Sequence, residues 1–306
     1  MQKLKNLLTN FKEKFLFTRV NLSQINETVK FINKNSKANL NRKFYLAQYL
    51  KYNQINSFIC QIAKSKKIIA HVGYVKYLNK DNTHYTYSRH SSIVNVKFRG
   101  QKIYSNLVEF SLKNLNVNDS ILLWPNNNNK KHKINSFLSK YNYNISNHFL
   151  LFQSSNEIKL QIMKRYDIIK KYLAINNHKN IIFKNLAYFR NRYFYKDKTV
   201  YFYHEYKNSS IAIFTVDKKD KKDKKKILLD IIGNATKKNE HLKYLARTLS
   251  FYCCIHDKKI EMFSKIINIK FTRKTFNIFF LTNKKINLKN YDINLGDTDS
   301  FLNTNF

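Results

Sequence analysis

Between Ser92 and Leu107 the chain reads S-I-V-N-V-K-F-R-G-Q-K-I-Y-S-N-L. This is a β-rich run, a tight basic turn, and then apolar residues at helical spacing. A strand-to-helix junction of this kind aims several backbone N–H groups and the positive end of a helix at one place, which suits a phosphate or pyrophosphate. Ser92, Ile93 and Val94 supply the strand edge, Arg99, Gly100, Gln101 and Lys102 the turn, and Ile103 and Tyr104 the first helical residues. His71 and His90 fall on or beside the two preceding strands, and an imidazole titrates near neutrality, as a general base should. The plain alternatives are an ordinary β-α turn and two structural histidines. The acids of the first half are Glu13, Glu27, Asp81, Glu109 and Asp119. None lies in an expected core strand, so a buried carboxylate base is not anticipated. Cys60, Cys253 and Cys254 have no metal-ligand spacing, and the adjacent pair is a poor start for a disulfide framework, which points to a reducing compartment and no metal.

These residues must be positioned by regular elements. The apolar pattern predicts a helix over Met1–Phe17 and a second from Ser23 through Ile32. Strands follow at Ser57–Ala63, Lys67–Tyr77 and Thr83–Val96. Ile103, Leu107, Phe110 and Leu115 then share one helical face. Ile121–Trp124 reads as a short buried strand ended by Pro125, Ile134–Lys140 as a helix and His148–Gln153 as a strand. Ser154–Lys184 reads as a largely helical connector. Strands at Thr199–His204, Ser210–Asp217 and Ile227–Ile232, a helix over Lys237–Cys254, and strands near Lys259–Phe263 and Phe276–Thr282 repeat the element order of the first half. The expected fold is α/β (α+β), a mixed, mostly antiparallel sheet with flanking helices in two tandem units. The units are residues 1–153 and 185–306, joined by the connector 154–184.

With 306 residues, 43% of them hydrophobic, the chain has enough apolar material for a core, so disorder is not the default expectation. Its net charge of +38 first suggests a polyanionic partner. The bias, however, is 48 Lys against nine Arg in a chain rich in Asn, Ile, Phe and Tyr, with only four Gly and one Pro. Those preferences follow A/T-rich codons, so much of the charge reflects nucleotide composition. A basic RNA-binding or ribosome-associated protein remains the alternative class, with lysines for phosphates and tyrosines for stacking. The charge run Lys218–Lys226 reads as a solvated hairpin loop. No run approaches the roughly eighteen apolar residues of a membrane span, and a cytoplasmic location is expected. An amphipathic presequence is the alternative for the basic, acid-poor start.

Val94-x-x-x-Phe98-Arg99-Gly100 resembles the acyl-CoA signature of the GNAT superfamily of N-acetyltransferases, V-x-P-x-[YF]-R-G-x-G. Leu122–Asn126 and Phe137–Tyr143 are similar to that family's fifth strand and following helix, with Asn142 at the usual helix-end Gly. Tyr188–Tyr193 and Leu295–Phe301 resemble, respectively, the entry of the second unit and the terminal "G-D-S-D" tail of a tandem subset associated with amino sugars and surface polysaccharides. The resemblance implies acetyl-CoA as cosubstrate, held by Ser92, Ile93, Val94, Arg99, Gly100, Gln101, Lys102, Ile103, Tyr104 and Asn126. It also implies a small amine or amino-sugar acceptor that attacks the thioester directly, with backbone N–H groups near Ser92–Val94 polarising the carbonyl. His71 or His90 would serve as base. The family's thiolate-protonating Tyr is Leu138 in this chain, so Tyr141 or Tyr143, or solvent, would take that role. The loop glycines R-x-x-G-x-G fall on Lys102 and Tyr104, where side chains would crowd a pyrophosphate. A decayed, non-catalytic scaffold is therefore the third reading.

Overall fold

The computed structural model describes residues 14–36, 38–51, 53–78, 85–115, 120–123, 142–176, 184–190, 193, 200–216, 226–256 and 270–281. In the first half the strands are β1 (Phe15–Arg19), β2 (Leu50–Lys51), β3 (Gln54–Ile55), β4 (Ser57–Ile62), β5 (Ile68–Leu78), β6 (Tyr85–Val94), β7 (Ser120–Leu123) and β8 (Asn142–Gln153). The helices there are α1 (Ile25–Asn35), α2 (Arg42–Tyr49) and α3 (Ile103–Asn114). The second half has β9 (Gln161–Ile162), α4 (Lys170–Ala174), α5 (Leu186–Phe189), β10 (Phe202–Tyr206), β11 (Ser210–Val216), β12 (Lys226–Gly233), α6 (Ala235–Thr248), β13 (Phe251–His256) and β14 (Lys270–Leu281).

Twelve strands form one sheet in the order β1-β4-β5-β6-β7-β14-β8-β13-β12-β11-β10-β9. The order is close to palindromic. In each half an antiparallel meander leads into a parallel pair spanned by a helix: β6-α3-β7 on one side and β12-α6-β13 on the other. The closing strands are exchanged. β8 follows β7 in sequence but pairs with β13, while β14 comes back between β7 and β8. β8 and β14 pair antiparallel from Lys270 opposite Gln153 to Leu281 opposite Asn142, so the middle of the sheet joins the two halves through backbone bonds.

Helices cover both faces, and for that reason the inner strands read as continuous apolar runs. α3 seats Ile103 and Leu107 on Phe58, Val72, Tyr74 and Tyr87. α1 and α2 cover the opposite face through Ile25, Ile32, Tyr45 and Tyr49, against Ile59, Ile68 and Val75. In the second half α6 packs Leu242, Leu245 and Ala246 on Ala212 and Phe214. Tyr172, Tyr188 and Phe189 close the other side over Ile211, Ile213 and Leu229. Tyr77 of β5 meets Tyr188 of α5 at a ring-centroid distance of 5.6 Å, which links the halves on this second face.

Four expectations change. Phe15–Phe17 are not helical: they belong to edge strand β1, paired with β4, because Phe15 buries its ring on the α3 face of the sheet and pairing to an edge outweighs weak helical spacing. The helix predicted over Lys237–Cys254 ends at Thr248, and Cys253 and Cys254 lie in β13, whose Phe-Tyr-Cys-Cys-Ile run has the β-rich, doubly buried character of a strand beside β12. The connector is helical only over Tyr166–Ala174 among its described residues. Its Ile158 and Leu160 pack on one core of the second half and Met163 on the other, a division across the sheet that extended chain achieves and a helix would not. α2, which the sequence reading did not place, starts at an Asn41 side chain accepting from the Phe44 amide. The predicted elements Ile134–Lys140 and Lys259–Phe263 and the motif Leu295–Phe301 lie outside the described residues.

Candidate active site

β6 makes a parallel ladder with β7 only from Thr86 to Ser88, opposite Ser120 to Leu122. Beyond Ser88 its pairing, among the described residues, is with β5 alone. That pairing contains a bulge: His71 faces Ile93 and Gly73 faces His90, so Ser91 and Ser92 together oppose Val72. Ser91 has φ +47°, a left-handed conformation that costs a non-glycine residue on the order of 1–3 kcal/mol and so requires outside support.

The support comes from buried side chains on the α1/α2 face. The Tyr49 hydroxyl donates to Ser91 Oγ at 3.0 Å. His71 Nδ1 lies 2.9 Å from the Ser91 carbonyl, and since a carbonyl only accepts, the proton sits on Nδ1. Nε2 is then left to accept from the Tyr45 hydroxyl at 3.3 Å, and Tyr45 is 2.5 Å from Ser57 Oγ. Gly73 makes room for this arrangement, because a Cβ there would stand 2.4 Å from the Tyr49 ring. Complete burial pushes the His71 pKa down to about 4, against a weaker upward pull from the Ser91 bond, so the ring is neutral. Burial likewise pushes the Tyr45 phenol well up. His90 is also buried, on the same face, with Nε2 3.0 Å from Ser88 Oγ.

After the bulge, Asn95 closes a single 3-10 turn over Val96–Phe98, its side chain accepting from the Lys97 amide. Arg99 reaches back from the loop to the Val94 carbonyl through Nε at 3.4 Å. Gly100 has φ +82° with open space where a side chain would stand. Lys102, the N-cap of α3, has φ +57° and ψ +8° and makes no side-chain capping bond. The lysine at the first expected glycine position thus keeps a glycine-like backbone, and the amides of the first α3 turn have no capping side chain. Tyr104, at the second glycine position, is helical, and its ring packs under the Arg89 guanidinium at 5.7 Å. Its hydroxyl and one Arg89 terminal nitrogen are buried without a hydrogen-bond partner. Of the predicted residues, His71, His90 and Ser92–Val94 therefore meet at the bulge, and Arg99–Tyr104 form the loop and helix start. Asn126 and Tyr141 lie outside the described residues, and Tyr143 is the second residue of β8.

The corresponding region of the second half is built differently. One residue, Asn234, joins β12 to α6, and its side chain accepts from the Thr236 and Lys237 amides at 3.1 and 3.4 Å, closing the helix start. β12 is also bulged, with Leu229 unpaired between Phe214–Leu228 and Ile213–Asp230. Beside that bulge the buried Asp230 carboxylate takes the Lys184 ammonium and the Tyr193 hydroxyl.

The sequence reading missed Tyr45, Tyr49, Ser57, Arg89 and Ser91. Two tyrosines four apart behind an Asn N-cap are a usable signal for α2. Nothing local marks Ser91, whose backbone is set by partners 20 and 42 residues away. Among the described residues no group of three His, Cys, Asp or Glu could hold a metal, and no helix is long and apolar enough to cross a membrane.

The bulged strand, the parallel β6-α3-β7 unit and the loop-to-helix junction belong to a GNAT-type acyltransferase fold, and solved structures agree. A GCN5-related N-acetyltransferase from Anabaena variabilis superposes with TM-score 0.59 at 9% identity, over 87% of this chain and 72% of that one. A conserved Enterococcus faecalis protein of unknown function, described as a probable N-acyltransferase, gives 0.58 at 7% identity, over 87% and 71%. A GCN5-related N-acetyltransferase from Kribbella flavida gives 0.54 at 6%, over 87% and 70%. No family model and no curated protein matches the sequence. The chain has this fold.

Proposed function

We propose that the chain is an acetyl-CoA-dependent N-acetyltransferase for a small amine, with acyl-CoA held by the first half. The observation that carries the reading is the uncapped start of α3, entered through a left-handed Lys102 after the bulged end of β6. A pyrophosphate on the first α3 amides would be held by the helix end and by the charges of Arg99 and Lys102. Open space at Gly100 lets the backbone approach it, and Tyr104 leans onto Arg89 instead of standing in the loop. Gln101, Ile103 and, by the family resemblance, Asn126 complete this subsite. The exposed Ser92 and the Ile93–Val94 edge would line the thioester arm.

The amine nitrogen attacks the thioester carbon, a C–N bond forms and the C–S bond breaks. The proton released by the amine passes to His90 or to water held with Ser88, and the departing thiolate takes a proton from Tyr141 or Tyr143. In this reading residues 1–153 bind acyl-CoA, 154–184 connect, and 185–306 support the fold and wall the acceptor side. The acceptor is a small molecule of the amino-sugar kind, and the enzyme acts in the cytoplasm. Calorimetric titration with acetyl-CoA tests the binding step: heat for wild type with weakened binding in Arg99→Glu is the expected result. No heat for wild type at millimolar acetyl-CoA would overturn the reading.

A further inference from the structure

We propose that His71 is a positioning residue, which holds the Ser91 bulge so that β6 presents its β7-side amides to the thioester carbonyl; the inference rests on the acetyltransferase reading above. The Asn95 amide bonds back to Ile69 of β5 at 2.9 Å, so strand alternation turns the Val94 amide, and with it Ser92, to the side of β6 away from β5. The Arg99 bond to the Val94 carbonyl lies on that same edge. Where these amides point depends on the bulge, and the bulge depends on Ser91 staying at φ +47°.

Two bonds from the α1/α2 face hold it: the Tyr49 hydroxyl on Ser91 Oγ and the His71 Nδ1–H on the Ser91 carbonyl. The second requires one tautomer. Tyr45 selects it by donating to Nε2, while Ser57 donates in turn to the Tyr45 oxygen. Ser57, Tyr45 and His71 are all buried, so the chain from β4 through α2 and β5 to β6 is insulated from exchange with water. His71 thereby acts through the backbone of Ser91 and has no contact with a reacting atom. A carboxamide on a short stem, as in Asn, places an N–H close to where Nδ1 stands, whereas Leu fills the space without a donor.

The test uses the full chain and acetyl-CoA labelled with 13C at the thioester carbonyl, which needs no acceptor. Isotope-edited infrared spectra of the binary complex report carbonyl polarisation, and calorimetry reports affinity. The expected result is a carbonyl stretch shifted to lower frequency in wild type, the shift lost in His71→Leu and retained in His71→Asn, with affinity within about threefold throughout. Nitrogen-15 correlation spectra should show His71 as the Nδ1–H tautomer. Equal shifts in all three proteins, equal loss in both variants, or an Nε2–H tautomer would overturn the inference. If His71→Leu does not fold, Tyr49→Phe replaces it and should diminish the shift. Absence of acetyl-CoA binding by wild type would instead remove the acetyltransferase reading, and the tautomer measurement, made without ligand, separates the two failures.

Discussion

The two halves share a sheet plan but treat the strand-to-helix junction in opposite ways. In the first half eight residues, Asn95 to Lys102, separate β6 from α3, and the helix start is left without a side-chain cap. In the second half Asn234 alone makes the junction and occupies the helix amides itself. The polar groups at the bulges differ in the same sense. Ser91 is held by a neutral network, while the bulge in β12 is filled by the Lys184–Asp230 ion pair with Tyr193. The first-half helix start thus lacks the side-chain cap that the second half supplies at the matching place. Two halves with one sheet plan can therefore differ at the same junction: the second closes its helix end with a side chain and its bulge with an ion pair, and the first does neither.

Among substitutions, the largest effect should come from breaking the second half's ion pair. Lys184→Met removes the buried ammonium from Asp230 and should lower unfolding free energy by about 3–5 kcal/mol in urea denaturation. Acid comes next. Burial lowers the pKa of His71 to about 4 and that of His241 to about 3, and lowers that of His204 as well. The unfolded chain binds more protons below its ordinary imidazole value of about 6.5. Stability is therefore fully present above that pH and is lost as pH falls toward the folded values, at up to about 1.4 kcal/mol per pH unit per imidazole. Denaturant midpoints unchanged between pH 7 and 5 would count against this.

Two smaller changes sharpen the contrast at the helix starts. Asn234→Ala should remove about 1 kcal/mol of stability by uncapping α6, with acetyl-CoA affinity unchanged. Arg99→Glu should do the reverse, weakening acetyl-CoA by about tenfold or more with little change in melting temperature. Lys102→Gly relieves a left-handed lysine and should be neutral to stabilising by about 1 kcal/mol or less, read as a small rise in melting temperature.

Much of the scaffold was legible in the residues. β4, β5, β6, α3 and β7 announce themselves by period and by turn residues, and the Arg99–Gly100 turn locates the helix start. Phe15–Arg19 was not legible as a strand because its partner β4 lies about forty residues on, and edge pairing leaves little local pattern. Cys253 and Cys254 were misplaced because a helical and a buried-strand run look alike when both are apolar. At the site, His71 and the Ser92–Tyr104 segment were visible as chemistry, but their arrangement was not. Tyr45 and Tyr49 reach Ser91 and His71 across Gly73, and no short-range signal encodes a contact between α2 and a bulge two strands away. The uncapped state of α3 was hidden for a related reason, since Lys102 is an unexpected residue in a glycine's conformation.

Hydrogen–deuterium exchange with and without acetyl-CoA tests the difference between the halves most directly. Added acetyl-CoA should slow exchange across Ser92–Asn106 and leave Asp230–Glu240 unchanged. Protection at Asp230–Glu240, or none at Ser92–Asn106 under saturating acetyl-CoA, would contradict the assignment of one acyl-CoA site to the first half.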